Sequence, residues 1–472
     1  RKESGNVFGE GSRAPVAISF LVKNPNAAAT GQIFYHDIGD YLTREQKLEK
    51  VSAFTSVAGM RDAGKWSDIV PDEHNDWLAQ RDSSFEKYVQ MTAGEDALFV
   101  MQTRGIESGR DAWVYNASGK TLTANLKRTV DVYSDCLSDG VALKDDAAIS
   151  WTSSLISSLN SKLEISYDAT AVREVCYRPY SKQLCYYERA LIHRMGKFAA
   201  IFPKGTDGNA NRTIMIKARW QGYGNFALMH NCPVDLQSDG GAQNFPLKVY
   251  EGVSADSDDL FAGNNAFKVR DGITDAGLKR FEAAYPNAKI TKEGIFYYVY
   301  GLLHSEEYRE RFADNLSKQL PRIPTVKQEA DFWAFVEAGR KLGDLHVNYE
   351  TVEPYAVTYK EGDLRLANVA DPVAFYRVEQ MKFAGKRPNL DKTTVIYNPN
   401  ITMTNIPLEA YDYVVNGKSA LDWVMERQCV KTDRASGIVN DANDYANETM
   451  KNPAYPLELF QRVITVSLET MK

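Results

Sequence analysis

Two stretches of the chain, Gly119-Lys120-Thr121 and Gly417-Lys418-Ser419, end the way a nucleotide-phosphate loop ends. Such a loop needs another glycine five positions before its last one, where backbone N–H groups wrap a phosphate. Those positions hold Val114 and Asp412, so both stretches read as decoys. Gly9-Glu10-Gly11-Ser12-Arg13-Ala14 mimics a dinucleotide fingerprint, but it precedes a strand-like segment where the fingerprint must follow one. The six histidines form no HExxH pattern, and the five cysteines (Cys136, Cys176, Cys185, Cys232, Cys429) contain no CxxC pair. That usage argues against a metal site and fits a reducing, cytoplasmic compartment. No GxSxG elbow occurs, and Pro71-Asp72-Glu73 lacks the acid-x-Lys partner of a nuclease. Glu306-Glu307 and Asp258-Asp259 sit in helix-start or loop contexts, where solvated surface is the ordinary explanation. Sugar hydrolysis by two carboxylates is decided only in three dimensions and stays open.

Charge carries the strongest signal. The chain has 472 residues and a net charge of -6. Residues 171–220 hold ten basic side chains (Arg173, Arg178, Lys182, Arg189, Arg194, Lys197, Lys204, Arg212, Lys217, Arg219) against Glu174, Glu188 and Asp207, which is +7 locally and leaves -13 elsewhere. Interleaved rings, among them Tyr177, Tyr180, Tyr186 and Tyr187, complete a pattern able to meet phosphates and base edges. The other reading is a solvated hairpin with its tyrosines packed inside. Arg104 and Arg110 flank glycines in a loop suited to close backbone approach, and Asn416-Gly417-Lys418 and the 431–437 loop offer further donors. The candidate DNA contacts are therefore Arg104, Arg110, Arg178, Lys182, Arg194, Lys204, Lys217, Arg219, Lys418 and Arg434.

These residues need elements to hold them. With 44% hydrophobic and 25% charged residues the composition is globular, and the longest apolar run, residues 295–303, is far below the roughly 20 residues of a membrane span. Residues 15–22 read as a strand buried on both faces, 32–36 as a second strand, and Thr43 as the cap of a helix to about residue 54. That is the tail of an α/β unit, and with Arg at position 1 the chain reads as a piece of something longer. Between residues 66 and 270 the texture is α+β, with turns expected at Ser118-Gly119 and Ser138-Asp139-Gly140, a helix over 150–163, and paired strands at 198–202 and 213–220 projecting as a basic hairpin around the 204–209 loop. Helices are expected over 274–284, 292–303, 305–319, 328–342, 416–427 and 455–471.

Four stretches resemble a known family. Tyr177-Arg178-Pro179-Tyr180 with Tyr186-Tyr187-Glu188-Arg189 and Leu191-Ile192-His193-Arg194 is similar to the Arg-Pro-Phe…Tyr-Tyr-Asp segment of the target-recognition region in Type ISP restriction-modification enzymes. The stretches at 105–116, 294–324 and 415–441, the last with Asn416-Gly417-Lys418-Ser419 and Lys431-Thr432-Asp433, follow in the family's order.

In that family one polypeptide carries a nuclease, a helicase-like ATPase, an adenine-N6 methyltransferase and a recognition domain. The resemblance implies an α+β recognition domain of two lobes (residues 61–270 and the mainly helical 271–472), preceded by an α/β fragment of a methyltransferase sheet (residues 1–60). It implies duplex DNA as partner, together with the methyltransferase, helicase-like and nuclease domains of the same polypeptide, in phage defence and with no membrane. S-adenosylmethionine, ATP and Mg are implied for the intact methyltransferase and ATP-dependent endonuclease. The catalytic Asn-Pro-Pro-Tyr motif is missing here, since Asn24-Pro25-Asn26, Asn398-Pro399-Asn400 and Asn452-Pro453-Ala454 each lack the second proline. No enzyme activity, catalytic residue, metal or cofactor is therefore expected of this chain itself. A free-standing carbohydrate-active enzyme and a protein-interaction scaffold remain the alternative readings.

Overall fold

The computed structural model describes residues 7, 16–26, 28, 31–142, 145, 147–204, 211–252, 267–362, 364 and 369–472. The 9–14 stretch, most of the 204–209 loop and the Asp258-Asp259 pair lie outside the described residues. The chain divides into two units, Arg1–Asp82 and Ser83–Lys472.

In the first unit, helix Arg44–Ala53 begins with a reciprocal cap: Gln46 N donates to Thr43 Oγ1 at 3.2 Å and Thr43 N to Gln46 Oε1 at 2.9 Å. Strand Ile33–Tyr35 pairs antiparallel with Ser67–Ile69. The buried strand expected over 15–22 is not formed. Residues 16–22 are exposed irregular chain, with Leu21 and Val22 93% and 88% exposed. An apolar run specifies a strand only where a neighbouring strand takes its backbone hydrogen bonds.

Among the described residues the second unit carries three antiparallel sheets of three or four strands, beside four two-stranded ribbons. One orders Thr103–Arg104, Ala242–Pro246, Thr213–Lys217 and Ala227–His230. A second places Ser181–Tyr186 between Tyr115–Asn116 and Val172–Arg178. The third runs Thr358–Tyr359, Ile401–Thr404, Asn389–Asn398, Lys382–Lys386. The projecting hairpin expected at 198–220 does not form. Phe198–Ala200 is a 3-10 turn and Thr213–Lys217 is an interior strand, its apolar Ile214, Met215 and Ile216 fully buried.

Most expected helices form, Asp275–Ala284 capped by Thr274 and Glu306–Arg311 by Ser305, while the helix expected from residue 416 begins only at Ala420, capped by Ser419, because Lys418–Ser419 pairs as a strand with Val414–Val415. The 305–319 expectation breaks into Glu306–Arg311 and Ala313–Leu316. Ser118 and Gly140, expected as turns, are instead the N-cap and the left-handed C-cap of the helix Gly119–Asp139. Lys292–His304 is buried from Gly294 to Leu303, as an internal helix must be. It lies against Glu329–Val347 at glycine contacts: a Cβ on Gly339 would fall 1.9 Å from Tyr297 O, and one on Gly301 2.3 Å from Phe335 O.

Two hydrophobic clusters fill this unit, and each draws residues from both sides of residue 270. One joins Ile106, Tyr115 and Val175 to Tyr397, Tyr413 and Phe460; the other joins Phe99, Ile216 and Phe245 to Phe296, Tyr298 and Phe332.

Candidate nucleic-acid interface

The turn between Val172–Arg178 and Ser181–Tyr186 forces Tyr180 into the left-handed region, φ 55°, with its ring buried edge-on to Tyr349 and its hydroxyl 2.9 Å from Tyr413 Oη. The neighbouring basic side chains turn inward as well. Arg178 lies over the Tyr177 ring at 3.9 Å and donates to Asp235 at 2.7 Å, while Tyr115 Oη donates to the other Asp235 oxygen at 3.0 Å. Burial raises the Asp235 carboxyl to about 6 against the opposing pull of Arg178. Lys182 donates to Glu350 at 2.6 Å. Arg110 is 4% exposed; its Nη2 donates to Thr152 at 2.8 Å, its Nε and Nη1 have no hydrogen-bond partner, and burial lowers its pKa to about 10.

The local +7 of the sequence is thus largely compensated in space. Besides Arg178 and Lys182, Arg194 pairs with Glu107 at 3.0 Å, Lys204 with Asp168 at 3.1 Å, and Arg212 with Asp344 at 2.7 Å. All five carboxylates come from outside residues 171–220. Lys217 donates to Asn416 Oδ1 at 2.7 Å, and Lys418 pairs with Glu426 beneath the ring of Trp423. Arg104, Arg219 and Arg434 are exposed. The backbone brings Arg104 and Arg194 to one edge through the Glu107–Arg194 bridge, and Lys217 to Lys418 through Asn416; Lys204 pairs with Asp168 and Glu188.

Sequence reasoning missed the recess beside Arg178. A cleft of about 270 Å³ is lined by Asp111, Tyr177, Gln183, Arg427, Lys431 and Asn440, among others. One wall is the ribbon Val430–Thr432 and Val439–Asp441, tied to the floor by amides: Asn440 Nδ2 donates to Gln183 Oε1 at 3.2 Å, and Asn116 Nδ2 to Val439 O at 3.0 Å. The ribbon's turn closes on Asp433, which accepts from Ser436 N at 2.9 Å and Ser436 Oγ at 2.7 Å, and it exposes Arg434. Amide and guanidinium groups beside a ring can donate to and accept from base edges, while Lys431 and Arg434 at the rim can meet phosphates. Gln183 and Asn440 carry no charge, so a charge count passes over them.

The two phosphate-loop decoys are filled by carboxylates. Glu448 accepts from Gly119 N at 2.9 Å and Ser118 Oγ at 3.0 Å, and Glu426 takes Lys418. Asp72 closes its own turn, accepting from His74 N at 2.9 Å and Asp76 N at 2.8 Å. Among the described residues no group of three His, Cys, Asp or Glu is placed to hold a metal ion.

Residues 97–459 match the family model of the Type ISP C-terminal specificity domain. The chain belongs to that family. This specificity domain is similar, with TM-score 0.80 and 33% identity, to the ATP-dependent Type ISP restriction-modification enzyme LlaBIII bound to DNA, over 96% of this chain and 28% of that one. A nuclease-deletion mutant of the Type ISP enzyme LlaGI in complex with a DNA substrate mimic gives TM-score 0.81 and 33% identity, over 99% of this chain and 34% of that one. The specificity domain therefore spans only a minor part of the length of either enzyme. The DrdV–DNA complex shares the fold at TM-score 0.73 and 24% identity, over 93% of this chain and 42% of that one. No curated protein sequence matches the domain.

Proposed function

We propose that this chain is the target-recognition module of a restriction-modification enzyme. It binds duplex DNA sequence-specifically and holds it for adenine-N6 methylation and target-dependent cleavage by other domains of the same polypeptide. The observation that carries this reading is its likeness, over 96% and 99% of its length, to two Type ISP enzymes in complex with DNA or a DNA mimic. The site supports it physically. Methylating an amino group inside a duplex requires the base to be flipped out, so a separate surface must keep register on the neighbouring pairs. The cleft beside the Asn440 ribbon is lined by polar groups such as Arg427, Lys431 and Thr432 able to meet base edges, and Arg104, Lys431 and Arg434 supply exposed cations.

S-adenosylmethionine, ATP and Mg belong in this reading to the methyltransferase and motor domains. The residues here do not fit a nucleotide phosphate, because Glu448 already occupies the helix N-terminus at Gly119 and Glu426 holds Lys418. The exposed apolar residues at 16–22 support assigning residues 1–60 to the edge of a methyltransferase sheet. A phage-defence role places the protein in the cytoplasm, and no helix among the described residues is long and apolar enough to cross a membrane.

Titrating short duplexes at several salt concentrations tests the reading. Affinity that falls steeply and linearly in log–log form with salt supports it, and salt-independent or absent binding contradicts it.

A further inference from the structure

The hairpin of Lys382–Lys386 and Asn389–Asn398 lies outside the cleft and carries a separate charge concentration. Residues 385–392 are all exposed, and they hold Lys386, Arg387 and Lys392 against one acid, Asp391, with exposed Lys382 at the start of the hairpin. Asp391 is committed to its own turn: it accepts from Thr393 Oγ1 at 2.6 Å and Thr393 N at 2.9 Å, which holds its carboxyl below the usual range. The side chains of Lys386 and Arg387 have no ion-pair or hydrogen-bond partner among the described residues, in contrast to the paired cations of residues 171–220.

The hairpin is built to hold a shape. Gly385 has φ 81°, and a Cβ there would fall 2.6 Å from Asn389 O, so the two strands close tightly at the tip. Below it, the Lys392 ammonium lies over Tyr411 at 5.0 Å and over Phe383 at 5.8 Å, and Tyr411 Oη donates to Lys392 O at 2.8 Å.

Its root is shared with the ribbon of the cleft. Gln380 bridges Cys429, Val430 N donates to Glu379 O at 3.1 Å, and Arg377 pairs with Asp441 at 2.7 Å. The Gln380–Cys429 bridge is antiparallel, so the two hairpins leave the root in opposite directions. At about 3.3 Å per residue, the Arg387 and Arg434 tips lie at most roughly 40 Å apart. One turn of duplex DNA advances about 34 Å.

We propose that the Lys386–Arg387 tip is a second DNA-backbone contact, an arm that meets phosphates within about one helical turn of the cleft ribbon. The inference rests on the reading of duplex binding above and adds a site to it. The tip's guanidinium and ammonium groups suit phosphate oxygens, so the arm adds affinity without selecting sequence.

The test is equilibrium binding of the 472-residue chain and its Lys386→Ala/Arg387→Ala variant to a duplex across a salt series. The variant's log–log salt slope should be shallower by about 2, with affinity down on the order of tenfold near 0.1 M salt and equally so for unrelated sequences. A control, Lys289→Ala/Lys341→Ala, removes two exposed cations elsewhere and should leave the slope unchanged. Both variants alter exposed side chains, so an unchanged melting temperature confirms the fold. Wild-type slope and affinity in the tip variant would overturn the arm while leaving duplex binding intact, as would an equal loss in the control. A wild-type chain that binds no duplex overturns both readings.

Discussion

Arg178 and Asp235 meet at 2.7 Å with their side chains 11% and 3% exposed, and the guanidinium is stacked on Tyr177. Removing one member of such a pair leaves the other charged and desolvated. Arg178→Ala should lower unfolding stability by about 3–5 kcal/mol, and Arg178→Lys, which keeps the charge but loses the fork and the stack, by less. Urea unfolding checks both.

Asp239 is fully buried, and neither carboxylate oxygen has a hydrogen-bond partner. Burial pushes its pKa well above the ordinary value, opposed by Lys217. The folded chain therefore keeps a proton that the unfolded chain gives up near pH 3.9, so this group's contribution is complete below that pH and is lost as pH rises. Asp239→Asn should be more stable than wild type by about 1–3 kcal/mol at neutral pH, with the gain fading towards pH 4. Urea midpoints at the two pH values check it, and a gain equal at both would contradict it.

Gly339 gives a test with an unambiguous sign. Helix propensity alone would make Gly→Ala favourable by about 1 kcal/mol. The 1.9 Å approach of an added Cβ to Tyr297 O instead predicts a loss, about 1–3 kcal/mol by the usual cost of overpacking, seen as a lower melting temperature.

Exposed and buried cations should separate in binding experiments. Lys431→Ala and Arg434→Ala should each reduce the salt slope of duplex affinity by about 0.9. Lys182→Ala, whose ammonium lies 2.6 Å from Glu350, should lower stability and leave the slope unchanged.

Helix starts were legible where a cap side chain bonds within its own turn, as Thr43, Thr274 and Ser305 do; the helix expected from residue 416 begins only after Ser419, because Lys418–Ser419 first pairs with Val414–Val415. The helix Gly119–Asp139 was not, because Ser and Gly serve turns and caps alike and only the intervening packing separates them. The basic block was visible, but its compensation was not. Asp235 lies 57 residues from Arg178 and Glu350 168 from Lys182, beyond any local window. The Lys386 tip escaped for the opposite reason: its few cations stand out only once the fold leaves them without acids. The family resemblance supplied what charge counting could not, through the ordered stretches from Gly105 to Asp441.

Sequence-specific recognition of duplex DNA by this chain is tested by selection from a pool of randomised duplexes near physiological salt. One defined sequence should be enriched, with single base-pair changes in it costing about 1–3 kcal/mol each. Uniform retention of the pool, or no retention at all, would contradict it.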